Sequence, residues 1–323
     1  MTSATQVSPS TGRRYPFCLE TCIKIIGKDK LVSSLLSKDI QALRIALSEQ
    51  FAPSSANYYM AAFSAMLRWC EKNDYCQKEN LAEELKAFRI LKGKSADPYS
   101  YEEYQAIINA CHESQHRNLA TLAFYTGLRT GELRALCWNA VDLSNCAIHI
   151  KRHIGHPLDP FKLPKPGQTR SVDLQPPAIA AFTDQRRFNA HMNPIEITMH
   201  NGESLKKQSV LPVFNSECIA KRKTDLGMYL NSGTGHLWTT LLKRANVKHR
   251  RFYQCRHTFA SWNLTSHGNL AYIAKQMGHS DLEMLQSVYG KWIESASKSE
   301  AEMNWSQMES KGHFAPITPQ EDI

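Results

Sequence analysis

The sequence predicts a mainly helical protein in two domains, with a small antiparallel β-sheet in the C-terminal one. Three observations carry this reading. The chain has 323 residues, enough for two cores when domains run to about 100–200 residues each. Apolar residues recur at helical spacing through most of it. Two short alternating stretches, residues 146–153 (CAIHIKRH) and 169–174 (TRSVDL), flank the turn signal Lys165-Pro166-Gly167.

Residues 1–14 are polar and read as a flexible arm. Leu19, Cys22, Ile23 and Ile26 then fall at helical spacing up to Gly27, and a second periodic stretch runs from Leu31 to Leu47. A third begins after Pro53, with Ser54 or Ser55 as cap and Tyr59, Phe63, Met66, Leu67 and Cys70 on one face. Residues 15–92 therefore read as a small helical domain and 93–99 as a linker, with Lys92 and Lys94 in a basic stretch suited to phosphate contact. The second domain spans 100–294 and opens on a capping box, Ser100 with Glu103. Helices follow at Leu119–Tyr125, stopped by Gly127, and at Glu132–Cys137. Residues 186–235 are weakly patterned, with strands expected at 195–199 and 210–214, and helical periodicity resumes from His236 to Ile293. The polar tail, 295–323, reads as mobile.

Composition narrows the functional class. Lys plus Arg number 39 against 30 Asp plus Glu, and the resulting +9 suits an anionic partner such as nucleic acid. No run of about 18 apolar residues argues for a membrane span, and the opening MTSATQVSPSTGRRYPF lacks a secretory signal, so a cytoplasmic, reducing location is expected. The nine cysteines then read as buried free thiols. Cys18 with Cys22, and Cys70 with Cys76, have no second pair at zinc-ribbon spacing, so no metal is expected.

Three separated segments carry residues able to do chemistry. In TGLRTGEL, residues 126–133, Arg129 sits in a turn where its planar fork suits a phosphate and Glu132 can hold it. In YQCRHTFAS, residues 253–261, Arg256 enters a helix beside His257, preceded by the basic run Lys248, His249, Arg250 and Arg251. In GHSDLEMLQSVY, residues 278–289, Gly278 ends one helix and Ser280 with Glu283 caps the next, which places Leu282, Leu285 and Tyr289 on one face. Each segment alone also fits a plain structural role: a capping turn, a buried helix, a core tyrosine.

Taken in order, Arg129, Lys165 ahead of the TRSVDL strand, Arg256, His279 and Tyr289 resemble the tyrosine recombinase (phage integrase) family over residues 100–292. The resemblance implies an integrase catalytic fold behind a helical core-DNA-binding domain, and site-specific DNA cleavage and rejoining through a 3′-phosphotyrosyl link. It implies Tyr289 as nucleophile, Arg129, Arg256 and His279 around the phosphate, Lys165 as acid, and Glu132, Tyr253 and His257 in support. Lys162 lies three residues before Lys165 and is the alternative lysine. Lys92, Lys94, Lys248, Arg250 and Arg251 are the expected DNA-backbone contacts. Implied partners are double-stranded attachment-site DNA, three further copies of the chain on synapsed DNA, DNA-bending accessory proteins and an excisionase, with Trp292 and Ile293 docking on a neighbouring protomer.

The chemistry implied is self-consistent. Charge growing on the nonbridging oxygens during attack needs fixed donors around phosphorus, which two arginines supply. A phosphotyrosyl ester replaces a phosphodiester, so bond energy is conserved and no nucleotide cofactor is implied. One position departs from the family. Tyr253 stands where a histidine is usual, and a phenol donates a hydrogen bond but does not carry protons near neutral pH. Readings still open at this stage are chromosome-dimer resolution, type IB topoisomerase activity, and a DNA-binding regulator that keeps the fold without cleaving.

Overall fold

A computed structural model describes residues 9–76, 81–90, 96–155, 161–163, 169–189, 192–201, 204–214, 231–266, 268–279, 285–286 and 288–290. The chain forms two compact units, 1–94 and 95–323. The first is built on α1 (Pro9–Ile26), α2 (Ser37–Gln50) and α3 (Pro53–Lys72). Their apolar faces close on a core of Cys22, Ile40, Leu43, Leu47, Met60, Phe63 and Leu67. Two details differ from the sequence expectation. Helix α1 begins at Pro9, inside the stretch expected to be a flexible arm, because proline is tolerated in a first turn that needs no N–H. Helix α3 starts with Pro53 after Ala52 and has no side-chain cap from Ser54 or Ser55.

The second unit contains α4 (Tyr101–Asn109), α5 (Ser114–Thr126), α6 (Thr130–Arg134), α7 (Pro176–Asn189), α8 (Asn231–Arg244), α9 (Gln254–Thr265) and α10 (Leu270–Met277). The expected capping box opens α4: Glu103 N–H donates to Ser100 Oγ at 3.2 Å and Ser100 N–H to the Glu103 carboxylate at 2.9 Å. Helix α5 is buried on nearly every side from Asn118 to Thr126 and is the centre of the core, with Leu119, Leu122 and Phe124 against Phe182, Trp238 and Leu241. The helix expected over Glu132–Cys137 runs instead from Thr130 to Arg134, and Cys137 bridges to Pro212.

The expected antiparallel sheet is present as β1 (Val141–Asp142), β2 (Ala147–His149) and β4 (Ser171–Asp173), ordered β1-β2-β4 with Ile148 opposite Val172. A second sheet was not expected. It comprises β3 (Phe161–Lys162), β5 (Ile195–Asn201) and β6 (Ser204–Val210), with β3 parallel to β5 and β5–β6 a hairpin. Strand β6 lies ahead of the stretch read as 210–214 because every residue but Val210 is exposed, so it lacks the alternation that marks a half-buried strand. Ile154, Phe161, Ile197 and Met199 anchor this sheet over Ala135 and Cys137.

Seven of the eight described cysteines are buried and Cys146 is exposed; all eight are free thiols. Among the described residues, no helix is long and apolar enough to cross a membrane.

Gly127 ends α5 in the left-handed region at φ +60°, and a Cβ there would lie 2.4 Å from the Phe259 ring. Gly127→Ala is therefore expected to destabilise the fold by about 1–3 kcal/mol through overpacking and positive φ, read as a lower midpoint in thermal or denaturant unfolding.

Candidate active site

Helix α10 organises the site. The last carbonyls of any helix lack intrahelical donors and carry the negative end of its dipole. Gly278 turns the chain out of α10 at φ +67°, and the N–H groups of Gly278 and His279 fold back on Lys275 and Ala274. This leaves the carbonyls of Gln276, Met277 and Gly278, and three arginines from three other elements take one each. Arg170 Nε donates to Gln276 O at 2.8 Å, Arg256 to Met277 O at 2.7 Å, and Arg129 to Gly278 O at 2.9 Å. Residues far apart in sequence thus meet on one turn.

Glu132 completes the frame. It sits in the first turn of α6, accepts the Arg129 backbone N–H at 2.9 Å, and pairs with the Arg129 guanidinium at 2.9 Å. On its other side Arg170 grips the carboxylate with two bonds, 3.0 and 2.7 Å. Burial opposes ionisation of this carboxyl, yet the bonds and charges of Arg170 and Arg129 outweigh it and hold the group down to about 2. Arg170 and Glu132 are both enclosed, whereas the Arg129 side chain stays 36% exposed. Three guanidinium groups against one carboxylate leave the cluster net positive, which suits an incoming anion.

Arg256 is buried, and burial lowers its pKa to about 10, still cationic at neutral pH. It also donates to Gly127 O at 2.6 Å, which ties α9 to the end of α5. Its remaining contact is with His279 Nε2 at 2.7 Å. A guanidinium only donates, so Nε2 accepts and the imidazole proton resides on Nδ1. That Nδ1 is buried without a hydrogen-bond partner among the described residues. Burial, then Arg256, Arg129 and Arg170, lower the His279 pKa to about 4, so the ring is neutral and presents Nδ1–H as an unspent donor.

The last described helical turn carries Tyr289, which is 1% exposed. Its hydroxyl lies 2.5 Å from His257 Nδ1, on the residue after Arg256. Burial raises the phenol pKa above its ordinary value, and Arg256 pulls it back. Tyr253 is 43% exposed, and its ring meets the His257 imidazole edge-on at 5.2 Å.

Arg129, Glu132, Arg256, His257, His279 and Tyr289 are therefore brought together, with Tyr253 beside them. Lys165, Lys92, Lys94, Trp292, Ile293 and the Ser280–Glu283 cap lie outside the described residues. Lys162 is on β3, joined to His153 by two backbone bonds of 2.9 and 3.0 Å. Sequence reasoning treated Arg170 only as a strand residue; its sole sequence signal is a cation at the head of a short alternating strand. The basic run divides. Arg250 corrects the expected DNA contact: its side chain is 11% exposed, ion-paired with Asp97 at 3.1 Å and Glu103 at 2.8 Å, and stacked over the Tyr99 ring. Lys248 is exposed but pairs with Asp97 at 3.0 Å. Exposed Arg251 lines an open cavity of about 420 Å³ with Thr130, Thr239, His249 and Tyr253, next to the cluster.

Residues 100–292 match the Phage integrase family. Over 98% of its length the chain is 31% identical to the Escherichia coli (strain K12) "Putative defective protein IntQ", covering 82% of that protein. It is 34% identical over 76% of its length to the prophage integrase IntR of the same strain, of which it spans 59%. The fold is shared with the Tn1549 transposon integrase in complex with transposon right-end DNA (TM-score 0.67, 17% identity, 92% of this chain and 94% of that one). It is shared also with a λ integrase tetramer bound to a Holliday junction (TM-score 0.59, 14% identity, 85% and 73%).

Glu132→Gln leaves enclosed Arg170 facing a neutral amide. At pH 7 this is expected to cost about 3–5 kcal/mol, as when one partner of a buried ion pair is removed. Because the carboxyl pKa is depressed in the folded chain, its contribution is complete above the ordinary glutamate value of 4.5 and disappears as pH falls through about 2. Denaturant unfolding across that range should show the gap between the two proteins closing toward acid.

Proposed function

Because the chain belongs to the phage integrase family, we propose that it is an active site-specific DNA recombinase that cuts and rejoins strands through a phosphotyrosyl link at Tyr289. The observation that carries this reading is the meeting of Arg129, Arg256 and His279 on the carbonyl turn that ends α10, with the Tyr289 hydroxyl one residue along α9 from Arg256. Each guanidinium has donors beyond those spent on carbonyls. Arg129, the exposed one, receives a nonbridging phosphate oxygen. Arg256 and the unspent Nδ1–H of His279 receive another, so charge that grows during attack meets fixed donors. Glu132 and Arg170 keep the Arg129 fork from reorienting. Lys165 is the candidate acid for the departing 5′-oxygen.

Mobile-element DNA is the substrate proposed, with four protomers assembling on two sites. Integration and excision of a phage-like element fit the relatives that the sequence matches along most of its length. Arg251, on the rim of the cavity beside Thr130 and Tyr253, is the residue of the basic run free to reach a neighbouring phosphate.

Two measurements test this. With a set of nicked duplexes tiling the junctions that flank the gene, the wild-type protein is expected to give a denaturation-resistant adduct that Tyr289→Phe lacks. No adduct on any duplex would instead support a DNA-binding protein that does not cleave. In DNA titrations at several salt concentrations, Arg251→Ala is expected to weaken binding and reduce the logarithmic salt slope by about 1. Arg250→Ala is expected to lower the unfolding midpoint with the slope unchanged.

A further inference from the structure

Resting on that reading, we propose that His257 is the general base of the reaction: it holds the Tyr289 hydroxyl and takes its proton as the phenolic oxygen joins phosphorus. The family usually places a histidine three residues before Arg256, and here that position is Tyr253. Tyr253 does not fill the same role, because a phenol, unlike an imidazole, has no basic nitrogen to take up and carry a proton at neutral pH. Its ring instead packs edge-on against His257, and the His257 ring in turn lies 5.6 Å from that of Tyr289. The three rings form a chain that fixes the imidazole plane, and Nδ1 comes within 2.5 Å of Tyr289 Oη.

The direction of the bond follows from charge. Burial first, and then adjacent Arg256, lower the His257 pKa below its ordinary value, so the ring is neutral and has a lone pair to offer. The groups facing it among the described residues are Arg256 on its own helix, Tyr253, Tyr289, and His279 at the α10 turn. None of these is a carboxylate that would hold the imidazole protonated. The Tyr289 O–H therefore donates, Nδ1 accepts, and Nε2 carries the ring proton.

The step balances. The Oη–H bond breaks and its proton passes to Nδ1. Oη forms a bond to phosphorus, the P–O5′ bond breaks, and the departing oxygen takes a proton from an acid on the opposite side. In rejoining, a 5′-hydroxyl gives its proton back to the conjugate base of that acid as its oxygen bonds to phosphorus, the P–Oη bond breaks, and Nδ1–H returns its proton to the tyrosine. The phenol pKa is raised by burial and the imidazole pKa lowered, so the proton stays on oxygen in the resting protein. It moves only as phosphorus draws electrons from Oη, which is general-base rather than pre-ionised catalysis.

The test is single-turnover adduct formation on the same nicked duplexes, with DNA binding measured in parallel. His257→Ala is expected to slow adduct formation by about 100-fold or more while binding stays unchanged, the range removed with a general base. Added imidazole should restore the rate in proportion to its free-base fraction. His257→Asn places an acceptor near Nδ1 without basicity, so it should bind DNA normally, remain slow, and lose the acid limb of the wild-type pH–rate profile. Cleavage by both variants within about threefold of wild type would overturn the inference, as would a loss that imidazole rescues at no pH. Nitrogen-15 chemical shifts showing Nδ1 protonated in the free protein would overturn it independently. If the wild type itself forms no adduct, the recombinase reading fails first, which separates the two claims.

Discussion

Three guanidinium groups on three successive carbonyls are the constraint from which the site follows. A helix end is ordinarily a problem of unsatisfied acceptors. Here Arg170, Arg256 and Arg129 solve it for Gln276, Met277 and Gly278. The same bonds fix the reach and direction of each cation. Because every arginine arrives from a different element, the turn also locks β4, α9 and the α5–α6 junction to α10. Stability and chemistry are therefore not separable here: loosening the turn would scatter the charges that the phosphate must meet.

Glu132 decides how those charges are shared. By taking both oxygens' worth of Arg170, it buries one cation as structure and leaves Arg129 partly exposed. Without a carboxylate at this point, like charges would repel across the cluster. With two, only one of the three positive charges would be left uncompensated for a polyanion. His279 shows the same economy from the other side. Its neutral ring accepts from Arg256 and keeps a donor in reserve.

Much of this was legible in the sequence. Arg129, Arg256, His279 and Tyr289 stand in motifs whose glycines and caps mark turns, and both Gly127 and Gly278 adopt the left-handed conformations those motifs need. The helices with apolar faces and the β1-β2-β4 sheet were readable from periodicity. What was not readable had no local pattern. Arg170 acts through a carboxylate 38 residues earlier. Strand β6 has no buried face over most of its length. Arg250 looks like part of a basic run, and only the fold shows that Asp97 and Glu103 close around it. His257 is one more histidine in a helix until Tyr289 is brought against it.

The central claim is that Arg129 and Arg256 hold one phosphate in line with Tyr289. A structure of the protein on a nicked DNA site with vanadate in place of the scissile phosphate tests it most directly. The account places both guanidinium groups within about 3 Å of equatorial vanadate oxygens, with the Tyr289 oxygen at one apex. A vanadate held by one of the two arginines alone, with the other still directed elsewhere, would contradict it.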